Sequence, residues 1–161
     1  MNLFDKFTNK SQEAIINAQI VAQEHGQQHI EAMHILYSLL DQEESIVTAI
    51  LNKLNISPEI VQNKVAAQIE KLPKISYLGG SNIGMVQGTA EVAMVLERSK
   101  KEADKMGDEY ISTEHILLAI IGIKSRAQEI LISAGAEYDA ILKILAGLRG
   151  GQTVDSPEPE T

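Results

Sequence analysis

The sequence predicts an all-α domain of two tandem four-helix repeats related by pseudo-two-fold symmetry. Three observations predict it. The segment His29-Ile-Glu-Ala-Met-His-Ile-Leu-Tyr-Ser-Leu-Leu40 returns 81 residues later as Tyr110-Ile-Ser-Thr-Glu-His-Ile-Leu-Leu-Ala-Ile-Ile121. At that offset Thr8 falls on Thr89, Ala22 on Ala103, Gly26 on Gly107 and Ile30 on Ile111. So long a period in two copies marks a duplicated helical unit, not a short-period solenoid. Apolar residues recur at helical spacing through both copies. No strand-like alternation exceeds four residues, and all connections but one are short, as in a helical bundle.

The elements follow in order. Thr8 is a good N-cap for a first helix carrying Ala14, Ala18, Val21 and Ala22, and Gly26 ends it. A second helix over about 31–40 buries Ile35, Leu36, Leu39 and Leu40. After the polar Asp41-Gln-Glu-Glu break, a third carries Ile46, Val47, Ile50, Leu51 and Leu54. Ser57 and Pro58 restart the chain as N-cap and first helical residue. The fourth helix uses Ile60, Val61, Val65 and Ile69 and stops near Pro73. In the second copy, helix five starts near Thr89 and closes at Gly107, and Ser112 caps helix six. From helix seven the offset is 80, since Ile50-Leu51 match Ile130-Leu131. Helix eight carries Ile141, Leu142, Leu145 and Leu148. Repeat one thus covers about 8–72 and repeat two about 89–149, within a domain over 1–149. The segment 73–88, with Gly79, Gly80, Gly84 and Gly88, reads as a flexible connector. Residues 150–161 are polar, acidic and Pro-bearing, and read as a flexible linker.

Composition narrows the function classes. Hydrophobic residues make up 44% of the 161, but aromatics only 4%, so Ile, Leu, Val, Ala and Met must build the core. Cysteine is absent, which excludes disulfides and thiolate metal sites. The net charge of −8 and the lack of any basic run argue against nucleic acid. No apolar leader or spanning stretch is visible, so no membrane role and a cytoplasmic location are expected. Catalytic constellations are missing too. The Gly79 to Gly84 run has phosphate-loop spacing, but Met85-Val86 stand where Lys and Ser/Thr are needed. His25 and His29 are spaced to grip a metal on a helix, yet Gly26 between them breaks the helix. No metal or cofactor is expected in this chain. His34 and His115, each followed by Ile-Leu, read as partly buried histidines bonding within the first turn of their helices.

The doubled unit with Thr-Glu-His115-Ile-Leu-Leu, the opening Phe4-Asp-Lys-Phe-Thr-Asn-Lys-Ser-Gln-Glu13 and the closing Leu148-Arg-Gly-Gly carry a resemblance. They resemble the N-terminal Clp repeat domain of Clp-type AAA ATPase chaperones, and most of all the ClpB-type disaggregase branch. The resemblance implies a pseudo-dimeric helical domain that catches exposed segments of unfolded or aggregated proteins. It implies passage of these clients to the pore of a homohexamer that works with a DnaK-type chaperone system. It places ATP and magnesium in ATPase modules outside this chain, so the chain itself is not expected to be an enzyme, and the isolated domain is expected to be a monomer. The alternative it leaves is an adaptor-docking domain of a ClpA- or ClpC-type unfoldase serving a Clp protease.

Three positions match residues that the family uses for substrate binding: Thr8, Asp108 and Glu114. Each also has a structural reading. Thr8 caps a helix. Asp108 follows a helix-ending glycine, and Glu114 sits where a helix dipole favours a carboxylate. The chain departs from relatives at Arg98, Glu102 and His115, where they can carry leucines. An apolar groove there is not implied, and Met94, Met106, Ile111 or Met85-Val86 could serve instead. Related ClpC domains bind phosphoarginine with a glutamate in each copy. Here Met33 stands opposite Glu114, so a two-site reader is not expected.

Overall fold

The computed structural model describes residues 2–75 and 87–158. Among them lie eight α-helices: α1 (Asn9–Glu24), α2 (Ala32–Asp41), α3 (Ile46–Lys53), α4 (Pro58–Glu70), α5 (Ala90–Lys105), α6 (Thr113–Gly122), α7 (Arg126–Ser133) and α8 (Tyr138–Arg149). A 3-10 turn, Leu3–Lys6, precedes them, and two short strands, β1 (His29–Ile30) and β2 (Gln87–Gly88), interrupt them. The fold is the all-α one the duplication predicts.

Local chemistry sets the helix ends. The Thr8 hydroxyl accepts the Ser11 N–H at 3.2 Å, and Thr89 accepts that of Val92 at 3.2 Å. Ser57 and Ser125 cap α4 and α7 in the same way. Gly26 and Gly107 take φ of +67° and +71°, where a β-carbon would be strained. Glu31 is the N-cap of α2 rather than its first residue. α3 stops at Lys53, so the Leu54 read into it is its C-cap.

The two copies clasp each other. β1 pairs in parallel with β2, putting Ile30 opposite Gly88. Phe7 makes a parallel bridge with Ile111. At the 81-residue offset these are one pairing made twice, since Ile30 corresponds to Ile111 and Phe7 to Gly88. α2 and α6 run through the centre. α2 packs on α7 as α6 packs on α3, and α4 on α7 as α8 on α3. Ile35, Leu36, Leu39, Ile116, Leu117 and Leu118 are wholly buried there. Every residue of α6 from Thr113 to Ile121 is buried, so nothing polar on it escapes the need for a partner.

Beyond the predicted domain end, the described part of the chain stays in contact with it. Gly150 and Gly151, at φ +58° and +91°, turn the chain, and residues 152–158 lie back on the body. Val154 is 5% exposed, and the Pro157 carbonyl accepts the Asn9 N–H at 2.8 Å. The segment is polar in composition, but its lone aliphatic residue is buried. The glycine run over 79–84 and Met85-Val86 lie outside the described residues, as does most of the predicted connector.

Candidate functional site

Each copy anchors its central helix with the same histidine. The His34 Nδ1 accepts the Glu31 N–H at 2.8 Å, and the His115 Nδ1 accepts the Ser112 N–H at 2.8 Å. An accepting Nδ1 leaves the proton on Nε2 of a neutral ring. That Nε2 meets the Gln27 Oε1 at 2.7 Å in the first copy and the Asp108 Oδ2 at 2.7 Å in the second. Gln27 then donates to the Ile69 carbonyl at 2.7 Å. Asp108 instead pairs with the Arg149 guanidinium at 2.6 Å. Ile69 and Arg149 are equivalent residues at the 80-residue offset of their helices. One latch is neutral and the other ionic.

The ionic latch is larger. Arg149 also reaches the Glu114 Oε2 at 2.7 Å, and the Ser112 hydroxyl donates to Glu114 Oε1. Asp108 Oδ1 accepts the Val154 N–H at 2.9 Å. Burial raises the Asp108 carboxyl, but the bonds from His115, the Val154 N–H and Arg149 outweigh it and hold the group below its ordinary value. Burial lowers the Arg149 guanidinium, but its bonds to Glu114 and Asp108 outweigh that and raise it. In the first copy burial pushes His34 down to about 4.

The structure brings Asp108 and Glu114 together through Arg149. Both are buried, at 6% and 3% exposure, so Asp108 is not the solvated loop residue its glycine neighbour allowed. Thr8 is buried at the start of α1, and its N–H donates to the Ile111 carbonyl at 2.9 Å. Its neighbour Asn9 holds the segment that Asp108 holds from the other side. The alternative apolar set does not converge. Met94 is 55% exposed, Ile111 is buried, and Met94 and Met106 lie about 18 Å apart along α5. The Glu102 carboxylate, itself 1% exposed, pairs with Arg98 at 2.8 Å and accepts the Tyr138 hydroxyl. No apolar groove stands at those positions. His25 bonds its Nδ1 to the Val21 carbonyl at 2.8 Å, and among the described residues no group of acids and histidines is arranged to hold a metal.

Two equivalent grooves flank the seam. One, between α4 and α7, is lined by Lys64, Gln68, Arg126, Glu129 and Ser133, with Ala67 and Ile130 among them. Its counterpart, between α3 and α8, has Ile46, Ala49 and Leu148 at the places of Arg126, Glu129 and Gln68, and the polar Glu44, Ser45, Ser112, Glu114 and Arg149 line it too. Leu148 is 39% exposed. This groove encloses about 500 Å³, within the size range of sites that bury small ligands. Residues 152–154 close its edge.

The seat of the exit segment is narrow. Val154 donates to Asp108, and its carbonyl accepts the Glu109 and Tyr110 N–H groups at 2.9 and 3.2 Å. Glu158 accepts the Asn9 side-chain amide at 2.8 Å. Burying one valine contributes about 1.5–3 kcal/mol, and each of the five hydrogen bonds about 1 kcal/mol. Ordering a residue costs about 1–2 kcal/mol. The seven residues 152–158 are therefore held with little margin. Sequence reading missed this seat, the role of Arg149 and the Gln27 latch. A buried acid pair, Asp108 in the loop before α6 and Glu114 in its first turn, demands a cation, and the basic residue ending α8 was the available signal.

A duplicated helical domain with two equivalent seam grooves, differently lined, is the class of molecule these features define. The Clp repeat N-terminal domain model matches residues 6–145, and the chain belongs to that family. It is 33% identical over 156 residues to the chaperone protein ClpB of Bacillus cereus, covering 97% of this chain and 18% of that protein. It is 38% identical over 157 residues to ClpB of Bacteroides thetaiotaomicron, covering 98% and 18%. The chain thus spans under a fifth of the length of these relatives. The Hsp104 N-terminal domain from Candida albicans superposes with a TM-score of 0.81 at 20% identity, over 97% of this chain and 99% of that one. A ClpV N-domain in complex with a VipB peptide superposes at 0.73 and 18% identity, over 93% and 91%. Among the described residues no helix is long and apolar enough to cross a membrane.

Proposed function

We propose that this chain is the substrate-recruiting domain of a ClpB-like, ATP-dependent disaggregase. It binds exposed apolar segments of unfolded or aggregated proteins and delivers them to the pore of a cytoplasmic hexamer that cooperates with a DnaK-type system. ATP and magnesium belong to the ATPase modules of that assembly. The observation that carries the reading is the α3/α8 groove. The duplication made two such grooves, and only this one has Ile46, Ala49 and Leu148 in place of charged and amide side chains. An open groove that sets these apolar side chains among polar ones suits varied extended segments. Thr8, Asp108 and Glu114 belong to the site as the residues that fix its wall: Glu114 lines the groove, Asp108 ties down its edge, and Thr8 caps the helix that holds the far end of that edge.

The test is a titration of the isotope-labelled chain with reduced, carboxymethylated α-lactalbumin. Saturable amide shifts are expected at Ile46, Ala49, Glu114 and Leu148, with none at Gln68, Arg126 or Glu129, and Leu148→Asp abolishes them. Weak affinity is compatible with the reading, because six copies on a hexamer supply avidity. No shift at any ratio, with tight one-to-one binding of a small folded protein instead, is the result for an adaptor-docking domain.

A further inference from the structure

We infer that the seat holding Val154 is a peptide-binding site, and that residues 152–158 are its resident ligand. The inference rests on the client-recruiting reading and names a second contact for the same clients. The seat has the parts by which proteins hold extended peptides. It offers one carboxylate oxygen for a backbone N–H, and two consecutive N–H groups for the carbonyl of the same residue. Between them it buries one β-branched side chain, while Gln152, Thr153 and Asp155 on either side stay exposed. Backbone bonds of this kind give affinity, and the single pocket gives selectivity.

A second fixed point lies further along. Asn9 is the first residue of α1, so its N–H is one of the unpaired donors at a helix start, where partial positive charge collects. That N–H binds the Pro157 carbonyl, and the Asn9 amide binds the Glu158 carboxylate. The preferred ligand is therefore an extended segment with a small β-branched aliphatic residue and a carboxylate four positions later. The resident segment has both, and it also forms one edge of the α3/α8 groove. A client that enters the groove and reaches the seat must displace it, so occupancy of the seat lowers the apparent affinity for clients by the fraction of time it is filled.

The test uses the full chain, a chain ending at Gly151 and the Val154→Asp variant, with far-UV circular dichroism to check the fold. The probe is a fluorescein-labelled peptide of residues 152–158. It is expected to bind the shortened chain saturably and the full chain not at all, and to lose binding when its valine is replaced by aspartate. Reduced, carboxymethylated α-lactalbumin is expected to bind the shortened chain and Val154→Asp at least about threefold more tightly than the full chain. In the full chain, adding lactalbumin should remove the hydrogen-exchange protection of the Val154 amide, a readout that needs no variant. Equal lactalbumin affinity for all three chains, with Val154 still protected, overturns this inference and leaves client recruitment standing. Failure of lactalbumin to bind any of them overturns both.

Discussion

The two histidine latches stand at equivalent places and work by different physics. In the first copy Gln27 links His34 to a backbone carbonyl, and every group is neutral. In the second, Asp108, Glu114 and Arg149 replace that link with three charges. A neutral latch tolerates loss of a partner at the cost of one hydrogen bond, whereas an ionic one leaves an uncompensated buried charge. The ionic latch also has oxygens to spare, and one of them holds the exit segment. The latch with the costlier chemistry is the one that lines the α3/α8 groove, through Glu114 and Arg149.

The largest break in this comparison is Arg149→Met. It strands two carboxylates and is expected to cost about 3–5 kcal/mol in urea unfolding. The equivalent change Ile69→Met keeps volume and polarity, and is expected to cost less than about 1.5 kcal/mol. Equal losses would mean that the latches do not differ as described.

Acid separates the copies next. Above pH 6.5 the His34 ring is neutral in both folded and unfolded chains. As pH falls from 6.5 towards 4, the unfolded chain takes up a proton that the fold refuses, so stability is lost across that window, by up to about 3 kcal/mol. Asp108 acts lower. Its depressed carboxyl stabilises the fold above the ordinary aspartate range near pH 3.9, and that contribution is lost as pH falls below it. Acidification is thus expected to weaken the first copy before the second. His34→Gln keeps a residue that can close the capping box and removes the titration. It should flatten the urea midpoint between pH 6.5 and 4.

The smallest difference lies at the caps. Thr8→Ala and Thr89→Ala are each expected to cost about 1–2 kcal/mol, because both lose an N-cap bond and the bond the hydroxyl donates, to the Ser11 hydroxyl from Thr8 and to the Ile30 carbonyl from Thr89. Only Thr8→Ala is expected to weaken the lactalbumin titration as well. If Thr89→Ala weakens it equally, Thr8 acts through helix stability alone.

The fold was legible because its determinants are local and stated twice. Thr8, Thr89, Ser57, Gly26 and Gly107 fix helix ends by the chemistry of neighbouring residues. The histidines were legible as first-turn bonds for the same reason. The site was legible only in part. Asp108 and Glu114 could be picked out by resemblance, but their shared partner Arg149 lies 35 residues beyond Glu114, and no periodicity links them. Val154 was obscured by its surroundings, since a composition average over a polar tail hides one anchor. The strand pairings of Ile30 and Ile111 were invisible because they are two residues long or shorter and join across the copies.

Those crossed pairings have a consequence for how the molecule is made. Phe7 finds its partner only at Ile111, and Ile30 only at Gly88. A ribosome releases the first copy with its sheet edge open, and that edge waits for Gly88 and Ile111 to follow. Each half thus lacks the partner of its own edge. Separately produced fragments 2–75 and 87–158 would each carry exactly the edge that the other lacks, and would reassemble on mixing as two strangers completing one domain.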